Sequence, residues 1–467
     1  MATRLKCNDT IPERDAHIII KGDGTGCSIK SNSATTPGDM TERGCTYAGC
    51  RGVVGGPVKD AIQLSHGPIG CAFYSWGYRP HVADTDFHMK YTFVSDMDES
   101  NVVFGGEKKL LQSVIEAAAE FPDAKGVFVY NTCTAALIGD DGKDVAKMAQ
   151  EEIGKPVVFF ACEGFRGVSQ SQGHHVGNET IFRNLVGSVE PEEDYAYSIN
   201  ILGDYNIKND IKTFEPLFQA LGLKIITRFT GNVSVDELKI MHKAKLNVIH
   251  CTRSATYIAD MMKDKYGTPS ISVTLWGIAN MSKALRETAA FFGLEKEAER
   301  VIKTEVAKVQ PKIDHFKKRL AGKKVIIYQG GPRAWHWPEL LEELGMEVIG
   351  AATTFGHHDD YEKIYSKVGD GTLIMDNPNV PELEEILRTY KPDIFIAGNK
   401  EKYLAYKLGV PFLNGHTYET GPYAGFSGMV NFARDLDKAL SAPVWKLVRD
   451  QARPSPVSTL DLEEDVA

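Results

Sequence analysis

The sequence predicts an α/β fold made of three Rossmann-like domains, each with a parallel sheet flanked by helices, and with a ligand cleft between them. The chain has 467 residues, which is about three times the length of a common domain. From about residue 193 onward, short β-rich runs alternate with amphipathic helical runs. This alternation is typical of βαβ units and parallel sheets. A hydrophobic content of 43% allows a large buried core.

The second domain is predicted over residues 191–320. Each of its predicted strands is followed by a helical run. The strands are YSINILGDYN, LKIITRFTG and LNVIHCTRS, and the helical runs are DIKTFEPLFQALG, VDELKIMHKAK and ATYIADMMKDKYG.

The third domain is predicted over residues 321–440, after a charged helix that ends in HFKKRLAGK. Five strands, each followed by a helix or a turn, indicate a second doubly wound unit. They are KKVIIYQGGPR, MEVIGAATTFG, GTLIMDNPN, PDIFIAGNK and VPFLNGH.

The first domain, residues 1–190, is predicted to be a less regular α/β unit. It contains the strand GVFVYNTC, a helix from about residue 143 and the strand KPVVFFACEG, together with long Gly-rich and aromatic loops. Residues 441–467 are predicted to form a C-terminal tail. From residue 453 onward this tail is Pro-rich and then acidic, which is typical of a loosely held segment.

Composition excludes several classes of protein. The net charge of −9 offers no basic surface for nucleic acid, and no apolar run reaches the roughly 20 residues that a membrane span needs. The N-terminus lacks the apolar region of a secretory signal, so we expect a cytoplasmic protein without nucleic-acid or membrane partners. Eight cysteines without a CxxC pair do not fit a disulfide scaffold or an ordinary zinc ribbon.

Reactive side chains stand where predicted strands end. Cys133, Cys162, Cys251 and His416 each end a β-rich run, and ligands of open α/β sheets bind beyond the carboxyl ends of strands. For Cys162 we favour a buried thiol without a chemical role, since free cysteine is often a small core residue.

Two further observations favour iron–sulfur chemistry. Cys45 and Cys71 lie in the Gly-rich loops ERGCTYAG and SHGPIGCAFYSW, where glycine lets backbone approach a bulky inorganic group. With Cys133 they supply three thiolates, the ligand type that iron–sulfur clusters require. Three thiolates are one short of a closed site, which suggests that a second subunit supplies further ligands.

Cys251 and His416 come from different βα units, and one thiolate with one imidazole is too few for an ordinary zinc site. Cys251 and His416 can instead coordinate the two ends of a larger cluster. In YQGGPRAWHW the backbone N–H groups of the Gly330-Gly331 turn can donate hydrogen bonds to an anion. Arg333 can add charge-assisted hydrogen bonds to the same anion. We interpret Trp335 and Trp337 as packing residues.

Taken together, these motifs resemble the α subunit of nitrogenase. They run in order from about residue 40 to 445, namely ERGCTYAG, SHGPIGC, NTC followed by ALIGDD, CEGFRGVSQS followed by GHH, LNVIHC followed by RS, and GGPR. The resemblance implies that the cofactor lies in the cleft between the domains. It also implies that Cys45, Cys71 and Cys133 bind a P-cluster shared with a β subunit, and that Cys251 and His416 bind the active-site iron–sulfur cofactor.

The resemblance implies roles for further residues around that cofactor. Val53, Gln170 and His174 match side chains beside the reactive face. Lys400 matches the residue near an organic acid ligand, homocitrate. Positions that wrap the cofactor are matched by Arg253, Gly330, Gly331, Pro332 and Arg333.

The stretch GVSQSQGHHVGNE, residues 167–179, sets two histidines together in a polar and Gly-rich setting. Because an imidazole titrates nearest neutral pH, His174 is expected to donate to cluster sulfur and relay protons. His175 is expected to be its structural partner. The glycines are expected to allow close approach to the cluster.

The partners implied are a β subunit in an α2β2 assembly, a transient ATP-hydrolysing iron protein and a possible small third subunit. An external ATPase is consistent with the absence of a Walker A motif. The active-site cofactor is expected to contain iron alone, or iron with vanadium or molybdenum, since the motifs mix features of these nitrogenase types.

Three functions stay open at this point. The first is reduction of dinitrogen to ammonia with hydrogen evolution. The second is the nitrogenase-like methylthio-alkane reductase reaction, which cleaves carbon–sulfur bonds. The third is a scaffold for cofactor assembly. The presence of His416 with Cys251, and of His174 with Gln170, argues against the scaffold, since a scaffold has to release its cluster.

Overall fold

The computed structural model describes residues 12–22, 26–29, 44–77, 90–167, 169–193 and 195–451. Of the predicted tail, residues 452–467 lie outside this description, and its first part forms the helix Val444–Gln451. The strands of the described residues, labelled β1 to β14 in chain order, are Ile18–Ile20, Ala61–His66, Thr92–Val94, Gly126–Asn131, Val157–Phe160, Ser198–Asp204, Lys224–Thr230, Leu246–Ile249, Ser270–Ser272, Lys324–Tyr328, Glu347–Thr353, Leu373–Asp376, Ile394–Ala397 and Phe412–Asn414.

Helices separate most of these strands. The α-helices are Thr46–Gly49, Ile69–Gly77, Glu99–Phe104, Glu107–Glu120, Cys133–Ile138, Gly142–Ile153, Gln170–Asn184, Ile211–Gln219, Val235–Ile240, Thr252–Tyr266, Ile278–Phe292, Glu295–Leu320, Arg333–Glu343, His358–Lys367, Val380–Tyr390, Lys402–Lys407, Gly425–Ser441 and Val444–Gln451. Short 3₁₀-helices cover Pro12–His17, Gly164–Arg166, Ile207–Asn209 and Met241–Lys243, and a π-helical stretch covers Cys50–Gly55.

The strands form three sheets, with the orders β3-β2-β4-β5, β7-β6-β8-β9 and β1-β12-β11-β10-β13-β14. Every pairing is parallel except that of β1 with β12. All side chains of β2, β4 and β6 are buried, as expected for parallel strands covered on both faces by helices. The predicted fold class is therefore confirmed, whereas the domain boundaries stay a prediction.

The N-terminal strand joins the last sheet rather than the first. β1 pairs antiparallel with β12, with Ile18 opposite Met375. Just before it, Arg14 is buried and donates to the Glu382 carboxylate and to the carbonyl oxygen of Asp376. A long-range ion pair and a strand of three residues fix this connection, and neither leaves a periodic pattern in the sequence.

The largest apolar cluster runs continuously between the second and third sheets. It contains Ile201 of β6, Ile327 of β10, Trp276 and Trp337. Trp337 packs against Phe432 with 5.2 Å between ring centroids. Trp335 is also buried in the protein interior, so the interpretation of both tryptophans as packing residues is confirmed. Among the described residues, no helix combines the length and apolarity needed to cross a bilayer.

Candidate functional site

A cavity of about 580 Å³ opens at the carboxyl ends of strands from the second and third sheets. Asp204 ends β6, Cys251 follows β8, Gly330 follows β10 and His416 follows β14, and all four line the cavity. Parallel strands present their carboxyl ends at one edge, where the chain turns into helices and leaves space for a ligand. The cleft is thus built by strand ends of separate sheets.

Nearly all of the residues predicted for the site line this one cavity. They are Cys45, Val53, Cys71, Gln170, His174, Cys251, Arg253, Gly330, Gly331, Pro332, Arg333, Lys400 and His416. Cys133 does not line it but lies beside Cys45. A Cβ atom built on Gly164 would be 3.1 Å from the Cys133 Sγ and 3.5 Å from the Cys45 Sγ.

Cys45, Cys71 and Cys133 form what we call the three-thiol site. Cys45 precedes the helix Thr46–Gly49, Cys133 begins the helix Cys133–Ile138, and Cys71 lies in the first turn of Ile69–Gly77. Burial raises the pKa of Cys71, and the neighbouring Cys45 and Cys133 raise it further. The thiols therefore lie close enough to repel one another as thiolates.

The three-thiol site lies at the protein surface. Cys45 is exposed and the other two thiols are half-buried. Large apolar side chains nearby are also exposed, with 63% of Ile69, 76% of Tyr74 and 76% of Leu137 accessible. An exposed apolar rim of this kind marks a surface that another protein covers.

Cys251 and His416 form what we call the closed site. Cys251 is only 8% exposed and precedes the helix Thr252–Tyr266. Gly203 has a φ of +83°, and a Cβ atom there would come within 2.6 Å of the Cys251 Cβ, so only glycine fits. The His416 backbone N–H donates to Asn414 Oδ1 over 2.9 Å, which turns the chain at the end of β14.

Two arginines, Arg253 and Arg333, line the closed site. Arg253 pairs with Asp359 at 2.6 Å and with Asp360 at 2.9 Å. Burial lowers the pKa of Arg253, but the two carboxylates outweigh burial and raise it. The Arg333 guanidinium lies 5.4 Å from the Trp276 ring centroid and 5.6 Å from that of Tyr418, within the range of cation–π attraction.

His174 and Gln170 belong to a helix, Gln170–Asn184, capped by the Ser169 side chain. This helix packs backbone to backbone on the segment from Thr46 to Gly55. A Cβ atom on Gly173 would lie 2.0 Å from the Thr46 carbonyl oxygen. Helix packing therefore requires glycine at position 173, while the expected close approach of the glycines to a cluster stays a prediction.

The two neighbouring histidines have different surroundings. His174 is buried, lines the cavity and meets the Phe355 ring edge-on with 6.1 Å between centroids. His175 lies against the Tyr257 ring, and burial lowers its pKa. Their placement is consistent with a chemical role for His174 and a packing role for His175.

Sequence reasoning missed two acidic residues in the wall of the cavity, Asp204 and Asp210. Burial and the charge of Asp210 raise the pKa of Asp204, and burial raises the pKa of Asp210. Asp204 ends β6, so the same rule that singled out Cys251 would have found it. Asp210 follows a turn and has no comparable signal.

The cavity suits an anionic iron–sulfur group better than a single metal ion. Within the described ranges, no three His, Cys, Asp or Glu side chains are arranged to hold one ion. The Nε atoms of Arg253 and Arg333 are buried and have no hydrogen-bond partner among the described residues. A cluster sulfide is an acceptor that such donors fit.

Three comparisons agree with this geometry. The sequence profile of the family described as "Nitrogenase component 1 type Oxidoreductase" matches residues 45–441. The chain is 44% identical to the nitrogenase molybdenum-iron protein alpha chain of Methanothermococcus thermolithotrophicus, with 96% of each chain covered. It is also 44% identical to the nitrogenase iron-iron protein alpha chain of Rhodobacter capsulatus, with 94% of this chain and 84% of the relative covered.

A solved structure described as "Nitrogenase Cp1 at pH 5" superposes with a TM-score of 0.89 at 37% identity, covering 96% of this chain and 98% of that one. Agreement of this extent in both sequence and fold shows that the chain belongs to the nitrogenase component 1 family of oxidoreductases.

Proposed function

We propose that the chain is the catalytic α subunit of a nitrogenase that reduces dinitrogen to ammonia with evolution of hydrogen. The observation that carries the proposal is the closed site, where a thiol and an imidazole from separate sheets line one cavity together with His174 and two arginines. Relatives that are 44% identical to this chain over at least 94% of its length are named as alpha chains of molybdenum-iron and iron-iron nitrogenases.

In this proposal Cys251 and His416 hold the active-site cofactor. When bound, the cofactor supplies a multi-iron centre of low potential at which a small molecule is reduced. The guanidinium groups of Arg253 and Arg333 balance its negative charge, while the Gly330 to Pro332 turn lies along the cavity wall. Lys400 lies in the wall as well, and an ammonium there suits the carboxylates of homocitrate.

His174 holds a proton at the cavity wall and donates it to the reacting face. Its side chain is 2% exposed, so it is held in place as a proton donor at the cavity wall. Gln170 adds an amide donor beside it, and Val53 presents a small apolar surface that limits access. Together these three side chains control which molecules approach and when they receive a proton.

Cys45, Cys71 and Cys133 hold the P-cluster, and a β subunit supplies the remaining ligands in an α2β2 assembly. The exposed apolar rim around these thiols fits a covered interface. Electrons arrive from a separate ATP-hydrolysing iron protein. Molybdenum, vanadium and iron-only cofactors all remain compatible with this ligand set, and a small third subunit accompanies some of these types.

The test is an assay of the complex purified from its native host, supplied with its iron protein, ATP and a reductant. Labelled ammonia should form from ¹⁵N₂, and elemental analysis for iron, molybdenum and vanadium should identify the cofactor type. A methylthio compound serves as the competing substrate. Release of methanethiol or hydrocarbon without labelled ammonia would instead identify a methylthio-alkane reductase.

A further inference from the structure

Residues 416–424, the segment that carries His416, are held by hydrogen bonds to other residues of the predicted third domain. Asn414 Oδ1 accepts from the backbone N–H groups of His416 and Thr417 at 2.9 and 3.1 Å. Asp435 accepts from the Thr420 hydroxyl at 2.6 Å and from the Tyr423 hydroxyl at 2.9 Å. These bonds shape the turn, but they do not relate it to Cys251.

A second set of bonds reaches the same segment from the unit that carries Cys251. The Asp210 side chain is 1% exposed. Its Oδ1 accepts from the backbone N–H groups of Tyr423 at 2.8 Å and Ala424 at 2.9 Å. Next to these bonds, the Gly425 N–H donates to the Leu275 carbonyl oxygen at 2.7 Å, and Trp276 forms an isolated antiparallel bridge with Ala424.

Asp210 and Cys251 follow neighbouring strands of one sheet. Asp210 lies six residues beyond the end of β6, Cys251 two residues beyond the end of β8, and these strands pair in parallel with Ile201 opposite Val248. The loop from Asp204 to Asp210 is held by hydrogen bonds from the Asn206 N–H to Asp204 Oδ1 and from the Ile211 N–H to Asn206 Oδ1. The Asp210 carboxylate therefore links the His416 segment to the sheet whose strand β8 leads to Cys251.

We propose that Asp210 is a positioning residue that fixes the His416 segment relative to Cys251 and thereby sets the spacing of the two ligands. The proposal rests on the proposed function, since it assumes that both side chains bind one cofactor. Ligand spacing has to be held to a fraction of an ångström for tight binding. Removing groups that orient ligands commonly weakens metal binding by roughly ten- to hundredfold.

The experiment compares Asp210→Ala and Asp210→Asn in the complex purified from the native host. Alanine removes the acceptor for both N–H groups, whereas asparagine keeps an Oδ1 in the same place. The matched control is Asp60→Ala. Asp60 Oδ1 accepts from the Val235 N–H at 2.8 Å, which is also a carboxylate bond between distant segments, but neither residue lines the cavity.

Each complex is incubated with an excess of iron chelator, and the iron kept per chain and the electron paramagnetic resonance spectrum of the reduced protein are recorded. We expect Asp210→Ala to lose active-site iron roughly tenfold faster or more and to show an altered spectrum. Asp210→Asn and Asp60→Ala should both match the parent protein.

Two results would overturn the positioning role. One is iron retention and a spectrum in Asp210→Ala that equal those of the parent. The other is an Asp210→Asn variant as impaired as the alanine variant, because the charge and not the two N–H bonds would then matter. A parent complex that contains no iron cofactor would instead refute the proposed function, so the two failures are distinguishable.

Discussion

The three-thiol site and the closed site use the same kind of chain position and differ in everything around it. In both, a cysteine lies at or next to the start of a helix, with Cys45 and Cys251 each preceding one. Cys45 is exposed and has an apolar rim, whereas Cys251 is buried and has cationic neighbours. If both sites bind clusters as proposed, the exposed three-thiol site needs ligands from another chain, whereas this chain supplies both ligands of the closed site.

Because the two sites differ, substituting a ligand of one site should remove iron from that site and not from the other. The largest effect is expected for Cys251→Ala and His416→Ala, because each removes one of the two protein ligands proposed for the cofactor. Both variants should lack active-site iron and be inactive, while the three-thiol site keeps its iron. Iron per chain and the electron paramagnetic resonance spectrum of the reduced protein report this.

The matched control for those two variants is Cys27→Ser. Cys27 is a half-buried thiol that packs near the cluster around Trp335 and does not line the cavity. This variant should keep its full complement of iron. Full iron content and activity in either ligand variant would contradict the assignment of the closed site.

Cys71→Ala should have the next largest effect, and on assembly as well as on metal. If another chain completes the three-thiol site as proposed, the variant should lose P-cluster iron and associate more weakly with the partner subunit. Sedimentation of the purified complex measures the association. Cys162→Ala, which removes a fully buried thiol that does not line the cavity, should assemble normally; equal loss in both variants would favour a general packing defect.

His174→Gln is expected to change catalysis without changing metal content. Glutamine keeps a hydrogen-bond donor near the cavity but cannot hold a proton at neutral pH, so ammonia formation should fall by about a hundredfold while hydrogen evolution continues. His175→Gln is the neighbouring control, since that ring packs on Tyr257. A variant of His174 with an unchanged product ratio would remove it from the proton path.

The smallest expected effect concerns stability against acid. Burial holds the pKa of His336 well below its usual value, so the folded protein keeps this ring neutral while the unfolded chain protonates it below about pH 6.5. The contribution of His336 to the free energy of unfolding is therefore complete above that pH and decreases as the pH is lowered. The loss reaches about 2 kcal/mol at pH 5.

Urea unfolding at pH 7 and pH 5 checks this prediction. His336→Gln should show a smaller drop between the two pH values than the parent protein does, although it is less stable at pH 7. His315→Gln removes an exposed histidine and should leave the drop unchanged. An equal loss of stability in the parent and in His336→Gln would contradict the prediction, because the His336 ring would then be protonated in the folded protein as readily as in the unfolded chain.

Much of the fold followed from residue patterns. The alternation of strands and helices after residue 193 predicted the sheets, and the rule about strand carboxyl ends selected Cys251 and His416. The burial of Cys162 was also predicted and is confirmed. The helix Gln170–Asn184 was missed because its apolar periodicity is weak, and it is stabilised by close packing at Gly173.

By itself, the sequence determined which side chains lie at the ends of buried strands, because a short apolar run bounded by polar or turn residues predicts both the strand and its end. Only the tertiary structure decided that the ends of β8 and β14 open into one cavity, that β1 pairs with β12, and that Asp210 reaches Tyr423. Such contacts join residues far apart in the chain. Their energies depend on the complete packing and not on any local pattern.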